Sequence, residues 1–137
     1  MGAVNWVPAP TAEELLEEAK QRKIAEIEQW RVEAVDAGMP YEFEGVQEVV
    51  QTRAEDRENL MGLEGEANHL IEAGVTDAVM TLRVQSNNEY LLTPAEMVAV
   101  ARAAFKHKAD QYPISWALKE QARNAASQEE LDAITWE

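Results

Sequence analysis

Four times this chain spells out the start of a helix: TAEE from Thr11, TRAE from Thr52, TPAE from Thr93 and SQEE from Ser127. Each places a hydroxyl where it can accept a bond from the backbone N–H three residues on. Each also places a carboxylate that can reach back to the cap's own N–H. Pro94 adds a residue whose fixed φ and missing N–H suit the first helical position. Such firm punctuation constrains the chain to helices of defined length with short connections between them. Thr11, Thr52 and Thr93 are spaced by 41 residues, so the order reads as two helix–hairpin units and a closing helix.

The first helix is expected over residues 11–37, stopped by Gly38 and Pro40. Its apolar stripe, from Leu15 and Leu16 through Ile27 to Ala37, is narrow, and the opposite face is charged, with Glu18 and Arg22 at i,i+4 spacing. A long helix with so thin a stripe either projects from the body or pairs with another helix. The second helix, 52–73, turns Leu60, Leu63, Ala67, Leu70 and Ile71 inward and stops at Gly74. Gly62 and Gly65 in its middle cost about 1 kcal/mol each against alanine, and are expected to let a neighbouring element approach closely. The third helix opens at Thr93 and carries Met97, Val100, Ala104, Phe105 and Trp116 inward, with Pro113 kinking or splitting it. A short helix after Ser127 is expected to hold the C-terminus through Leu131, Ile134 and Trp136.

Between the helices, period-2 alternation replaces the helical one. YEFEGVQEVVQ (41–51) reads as a hairpin turning at Glu44-Gly45, and AVMTLRVQ (78–85) pairs with Glu89–Leu92 across Ser86-Asn87-Asn88. The fold class is therefore α+β: two short β-hairpins packed against three main helices plus a short C-terminal helix. Residues 1–10, with two prolines in the last three positions, form an extended arm in which Trp6 and Val7 either pack locally or dock; residues 11–137 form a single domain, with the first helix either projecting or paired with another helix.

The chemistry that would make an enzyme is missing. Without cysteine there is no disulfide, thiolate metal site or thiol nucleophile. His69 and His107 lie on different helices, and their nearest acids, Glu66 and Asp110, are the chance neighbours of any acidic helix. The serines lack a nucleophile-elbow context, and the glycines are scattered singly rather than gathered into a phosphate loop. Paired glutamates such as Glu13/Glu14 and Glu129/Glu130 sit where helix dipoles favour negative charge. The expectation is a non-enzyme with no cofactor and no metal, acting by binding.

Charge narrows the partner. A net charge of −14 argues against nucleic acid, whose phosphates call for lysine and arginine. No apolar run is long enough for a membrane span, and MGAVNW has neither a signal peptide's character nor the serine or threonine of a myristoylation motif, so a cytoplasmic protein is expected. Residues 1–75 hold 17 acids against 6 bases, whereas 101–123 hold 5 bases against 2 acids. That asymmetry is either a solvated surface or a basic helix face, with Arg102, Lys106 and Lys108, that orients an acidic partner. Tyr41, Phe43 and Tyr90 on the short hairpins are candidates for a contact surface, the other large aromatics for core.

KIAEIEQWR (23–31), TRAEDRENLMGL (52–63), YLLTPAEMVAVA (90–101) and SWALKEQARNAASQEELDAITW (115–136), in this order, resemble a phage and prophage domain of unknown function found with tail-fibre genes. The resemblance spans about residues 14–136; the acidity of the first helix and Pro113 depart from it. It implies a tail-fibre assembly chaperone or tail accessory protein, working in the host cytoplasm during assembly or staying in the virion tail, with an oligomeric state matched to a trimeric fibre. The rival reading is an acidic inhibitor, a DNA mimic occupying a nuclease or repressor surface.

Overall fold

The structure is a computed structural model describing residues 7–136. Its elements, in chain order, are α1 (Ala12–Asp36), β1 (Met39–Phe43), β2 (Val46–Val50), α2 (Ala54–Glu72), β3 (Met80–Arg83), β4 (Glu89–Leu92), α3 (Pro94–Asn124) and α4 (Gln128–Asp132). Helix takes 62% of the described residues and strand 14%, in two separate two-stranded antiparallel sheets, β1-β2 and β3-β4. The α+β fold expected from the sequence is borne out. The docking role expected for Trp6 lies outside the described residues; residues 7–10 are exposed and belong to no helix or strand.

The chain gathers into two compact units, residues 31–113 and residues 7–30 with 114–136, and α1 and α3 contribute to both. The larger unit holds both hairpins. Its core joins Phe43 and Val50 of the first hairpin, Met80, Leu82 and Leu92 of the second, Leu60 and Ala67 of α2, and Met97, Val100, Ala101 and Ala104 of α3. A two-stranded sheet alone is barely stable in water, so each hairpin depends on this helical backing. The first hairpin turns through Glu44 and Gly45, both at positive φ, the pairing that a two-residue turn matched to strand twist demands. Gly38, which ends α1, has φ +95° and leaves no room for a β-carbon, which would stand 2.4 Å from Val49 Cγ1.

The end of α1 is closed by donors from elsewhere in this unit. Thr52 Oγ1 donates to the Val35 carbonyl (2.7 Å), His107 Nε2 meets the Ala34 carbonyl (3.2 Å), and the Arg57 guanidinium stands 3.5 Å from Asp36. These satisfy carbonyls that a helix C-terminus leaves without intrahelical partners, and the cation suits the negative end of the dipole. Thr52 is therefore not the cap of α2, contrary to the TRAE reading. It is fully buried, and the cap falls one residue later, at Arg53. Asp56 accepts from the Arg53 N–H (3.1 Å) and from its guanidinium (2.8 Å). The other three starts form as expected. Thr11 and Glu14, and Thr93 and Glu96, exchange bonds reciprocally, and Ser127 accepts from the Glu130 N–H at 3.2 Å.

In the smaller unit Ala19 and Ile27 of α1 meet Leu118 and Ala122 of α3, with Ala125, Leu131 and Ile134 completing the core and Trp30 and Trp136 along its margin. Lys23 lies 5.3 Å from the Trp30 ring, Lys20 donates to the Arg123 carbonyl (2.9 Å), and Lys119 pairs with Glu28. Pro113 lies inside α3 and does not split it.

Four expectations about packing need correction. Trp116 is 61% exposed, because Ser115, Leu118 and Ala122 hold the buried phase of α3 and Trp116 lies a third of a turn away. Ile71, in the last turn of α2, is exposed as well. Gly62 and Gly65 face open space, with nothing within 4 Å of either added β-carbon. The Glu18–Arg22 pair does not form among the described residues; Glu17 accepts instead from Gln21 at 3.1 Å.

Candidate protein-binding cleft

Tyr41, Phe43 and Tyr90 come together although Phe43 and Tyr90 are 47 positions apart in sequence. The Phe43 and Tyr90 rings stack with centroids 4.5 Å apart and planes 16° apart, and Tyr41 tilts against Phe43 at 4.9 Å. Phe43 is buried, while Tyr41 and Tyr90 are half-buried. The expectation of three surface aromatics thus resolves into one anchoring ring and two that reach the surface.

What holds Tyr90 in place is a buried carboxylate. Glu48 on β2 is 8% exposed and accepts from the Tyr90 hydroxyl, from Asn88 Nδ2 (2.9 Å) and from Ser86 Oγ (2.9 Å). No cation neutralises it among the described residues; three neutral donors take the place of water. The Tyr90 hydroxyl, then Asn88, hold the Glu48 carboxyl below the usual carboxylate range against the opposing effect of burial, with Ser86 adding to them. The same bond pushes the Tyr90 phenol up. A backbone bond from Gln85 N–H to the Val49 carbonyl (2.9 Å) runs alongside, so the two hairpins are tied by hydrogen bonds as well as by core. Sequence reasoning missed this anchor. The signal was VQEVV, where Glu48 shares a strand face with the inward Val50.

The tied hairpins and the first turns of α3 enclose a cleft of about 410 Å³. Tyr41, Phe43, Tyr90, Leu92 and Val100 give it an aromatic and aliphatic lining; Glu42, Glu44, Glu89 and Glu96 also line it. Two of these carboxylates are engaged, Glu89 with Arg83 and Glu96 with the Thr93 backbone. Glu42 and Glu44 have no hydrogen bond or ion pair among the described residues, and Leu91 is 61% exposed beside them.

The chain belongs to the DUF4376 family. The family, described as a domain of unknown function, matches residues 18–135. No curated protein and no solved structure matches the chain. Within the DUF4376 match, Arg102, Lys106 and Lys108 do not line the cleft. Arg102, itself exposed, pairs with half-buried Glu64 (3.3 Å), Lys108 is half-buried, and Lys106 pairs with Asp110 (2.6 Å) with both side chains exposed. Exposed pairs of this kind are worth about 0–1 kcal/mol and give way readily to a partner. No group of three metal-capable side chains converges among the described residues, and His107 is occupied with the Ala34 carbonyl. No helix among the described residues is long and apolar enough to cross a membrane.

Proposed function

We propose that the chain is a non-enzymatic binding protein of phage tail-fibre assembly, a chaperone or accessory piece that engages the fibre or another tail protein in the host cytoplasm and either departs or stays in the virion tail. The resemblance carried by YLLTPAEMVAVA and the C-terminal SWALKEQARNAASQEELDAITW supplies the tail-fibre association. The observation that carries the mode of action is the cleft: Tyr41 and Tyr90 are held rigid by the Phe43 stack and by Glu48, yet reach the surface beside exposed Leu91. Anchored aromatics that lose little freedom on docking are what binding hot spots use. Arg102, Lys106 and Lys108 offer a second, electrostatic contact on α3.

The acidic-inhibitor reading has less support. A phosphate mimic needs unengaged carboxylates, and Glu14, Asp56, Glu96 and Glu130 are committed to helix starts. Co-expression with the neighbouring fibre gene separates the two. Soluble trimeric fibre, recovered in complex with the chain and reduced by Tyr41→Ala with Leu91→Ala, is the expected result. Equal soluble fibre without the chain, and no complex, would refute the proposal.

A further inference from the structure

Consecutive residues of two strands line the cleft, 41–43 of β1, followed by Glu44 of its turn, and 89–92 of β4. Side chains alternate across a strand, so a face could contribute only every second residue; an edge contributes them in a row. Both strands are terminal in their sheets, since β1 pairs only with β2 and β4 only with β3. The register tells which backbone groups these edges leave open. Val84 N–H bonds to the Asn88 carbonyl (3.1 Å), which makes Leu82↔Tyr90 and Met80↔Leu92 the hydrogen-bonded pairs and turns the amide groups of Glu89 and Leu91 away from β3. In the first hairpin the Val49 carbonyl points outward to Gln85, so Pro40↔Val49 and Glu42↔Gln47 are the non-bonded pairs, and the Glu42 amide groups point away from β2. No described backbone group outside the sheets bonds to the amide groups of Glu42, Glu89 or Leu91.

We propose that the cleft takes an extended, lysine- or arginine-bearing segment of the partner protein, which adds a strand to the open edge of β4 and sets its cations against Glu42 and Glu44. This rests on the binding function proposed above and names the chemistry of what is bound. Strand addition supplies main-chain bonds for affinity while alternate side chains supply choice. On one side the incoming side chains meet Leu91; on the other they meet the half-buried rings of Tyr41 and Tyr90, over which a cation is also favoured. The two unpartnered carboxylates beside these rings select a cationic segment and repel an acidic one. The same charges keep the open edge from pairing with a second copy of this acidic chain.

The test is calorimetric titration of the full chain with three eight-residue peptides: one alternating valine and lysine, one alternating valine and glutamate, and the lysine peptide N-methylated at alternate amides. The lysine peptide should bind. Binding should weaken at least tenfold on N-methylation and in the Glu42→Gln/Glu44→Gln variant, whose melting temperature shows that the fold is intact. The glutamate peptide should not bind. A lysine peptide that fails to bind, or that binds no better than the other two, overturns the inference, as does an unchanged affinity in the double variant. Fibre capture run in parallel separates this inference from the function it rests on. Fibre captured equally by wild type and double variant leaves the function standing and refutes the cleft as its site. Peptide binding as expected, with no fibre captured, upholds the cleft and refutes the tail-fibre role.

Discussion

At the scale of single residues, two buried polar side chains organise the larger unit, and each makes a prediction. Thr52→Val keeps the volume but leaves the Val35 carbonyl without its donor, so it should destabilise by about 1–3 kcal/mol in urea melts. An unchanged midpoint would mean that the Thr52–Val35 bond contributes nothing to stability. Glu48 titrates below its ordinary 4.5 in the fold, so its stabilisation is present above that value and is lost as pH falls through the lowered one. Tyr90 titrates above its ordinary 10.0, so its stabilisation is present below that value and is lost as pH rises through the raised one. The melting-temperature gap between wild type and Glu48→Gln should therefore hold steady from about pH 5 to about pH 9 and close in acid. A gap that widens in acid would mean that Glu48 is protonated in the fold. Neither residue was legible in the sequence. A threonine before a helix is a cap far more often than a buried donor, and a glutamate in a strand gives no sign of which distant hydroxyl will satisfy it.

At the scale of elements the sequence was legible wherever the chemistry is local. Three of four helix starts, the Glu44-Gly45 turn and the stop at Gly38 depend on residues adjacent in the chain, and they form as expected. Expectations failed where tertiary packing decides. Trp116 yields the buried phase of α3 to Ser115 and Leu118, and Gly62 and Gly65 mark no close contact, because nothing lies within 4 Å of where their β-carbons would stand. Glycine on an open helix face only loosens the helix. Gly62→Ala and Gly65→Ala should each therefore stabilise α2 by about 0.5–1 kcal/mol, seen as a raised melting temperature. Destabilisation at either position would mean that the α2 surface is tighter than the open space around these glycines implies.

For the whole molecule, acidity and architecture bear on the same conclusion. Each unit has its own core, and truncating the larger one by Leu60→Ala should cost about 2–5 kcal/mol in chemical denaturation; an unmoved midpoint would remove Leu60 from that core. The candidate site was half legible in the sequence: Tyr41, Phe43 and Tyr90 stood out as a residue type on short strands. The cleft they share was not, because its other half is two strand edges and two unpartnered carboxylates brought together by tertiary structure. That cleft is the face through which we propose that the chain meets its partner. Hydrogen exchange, measured on the chain alone and in complex with the fibre protein, tests this most directly. The predicted result is slowed exchange at the amides of residues 41–44 and 89–92, with smaller changes along 102–110. Slowed exchange confined to 102–110, with both strand edges exchanging as they do in the free chain, would contradict it.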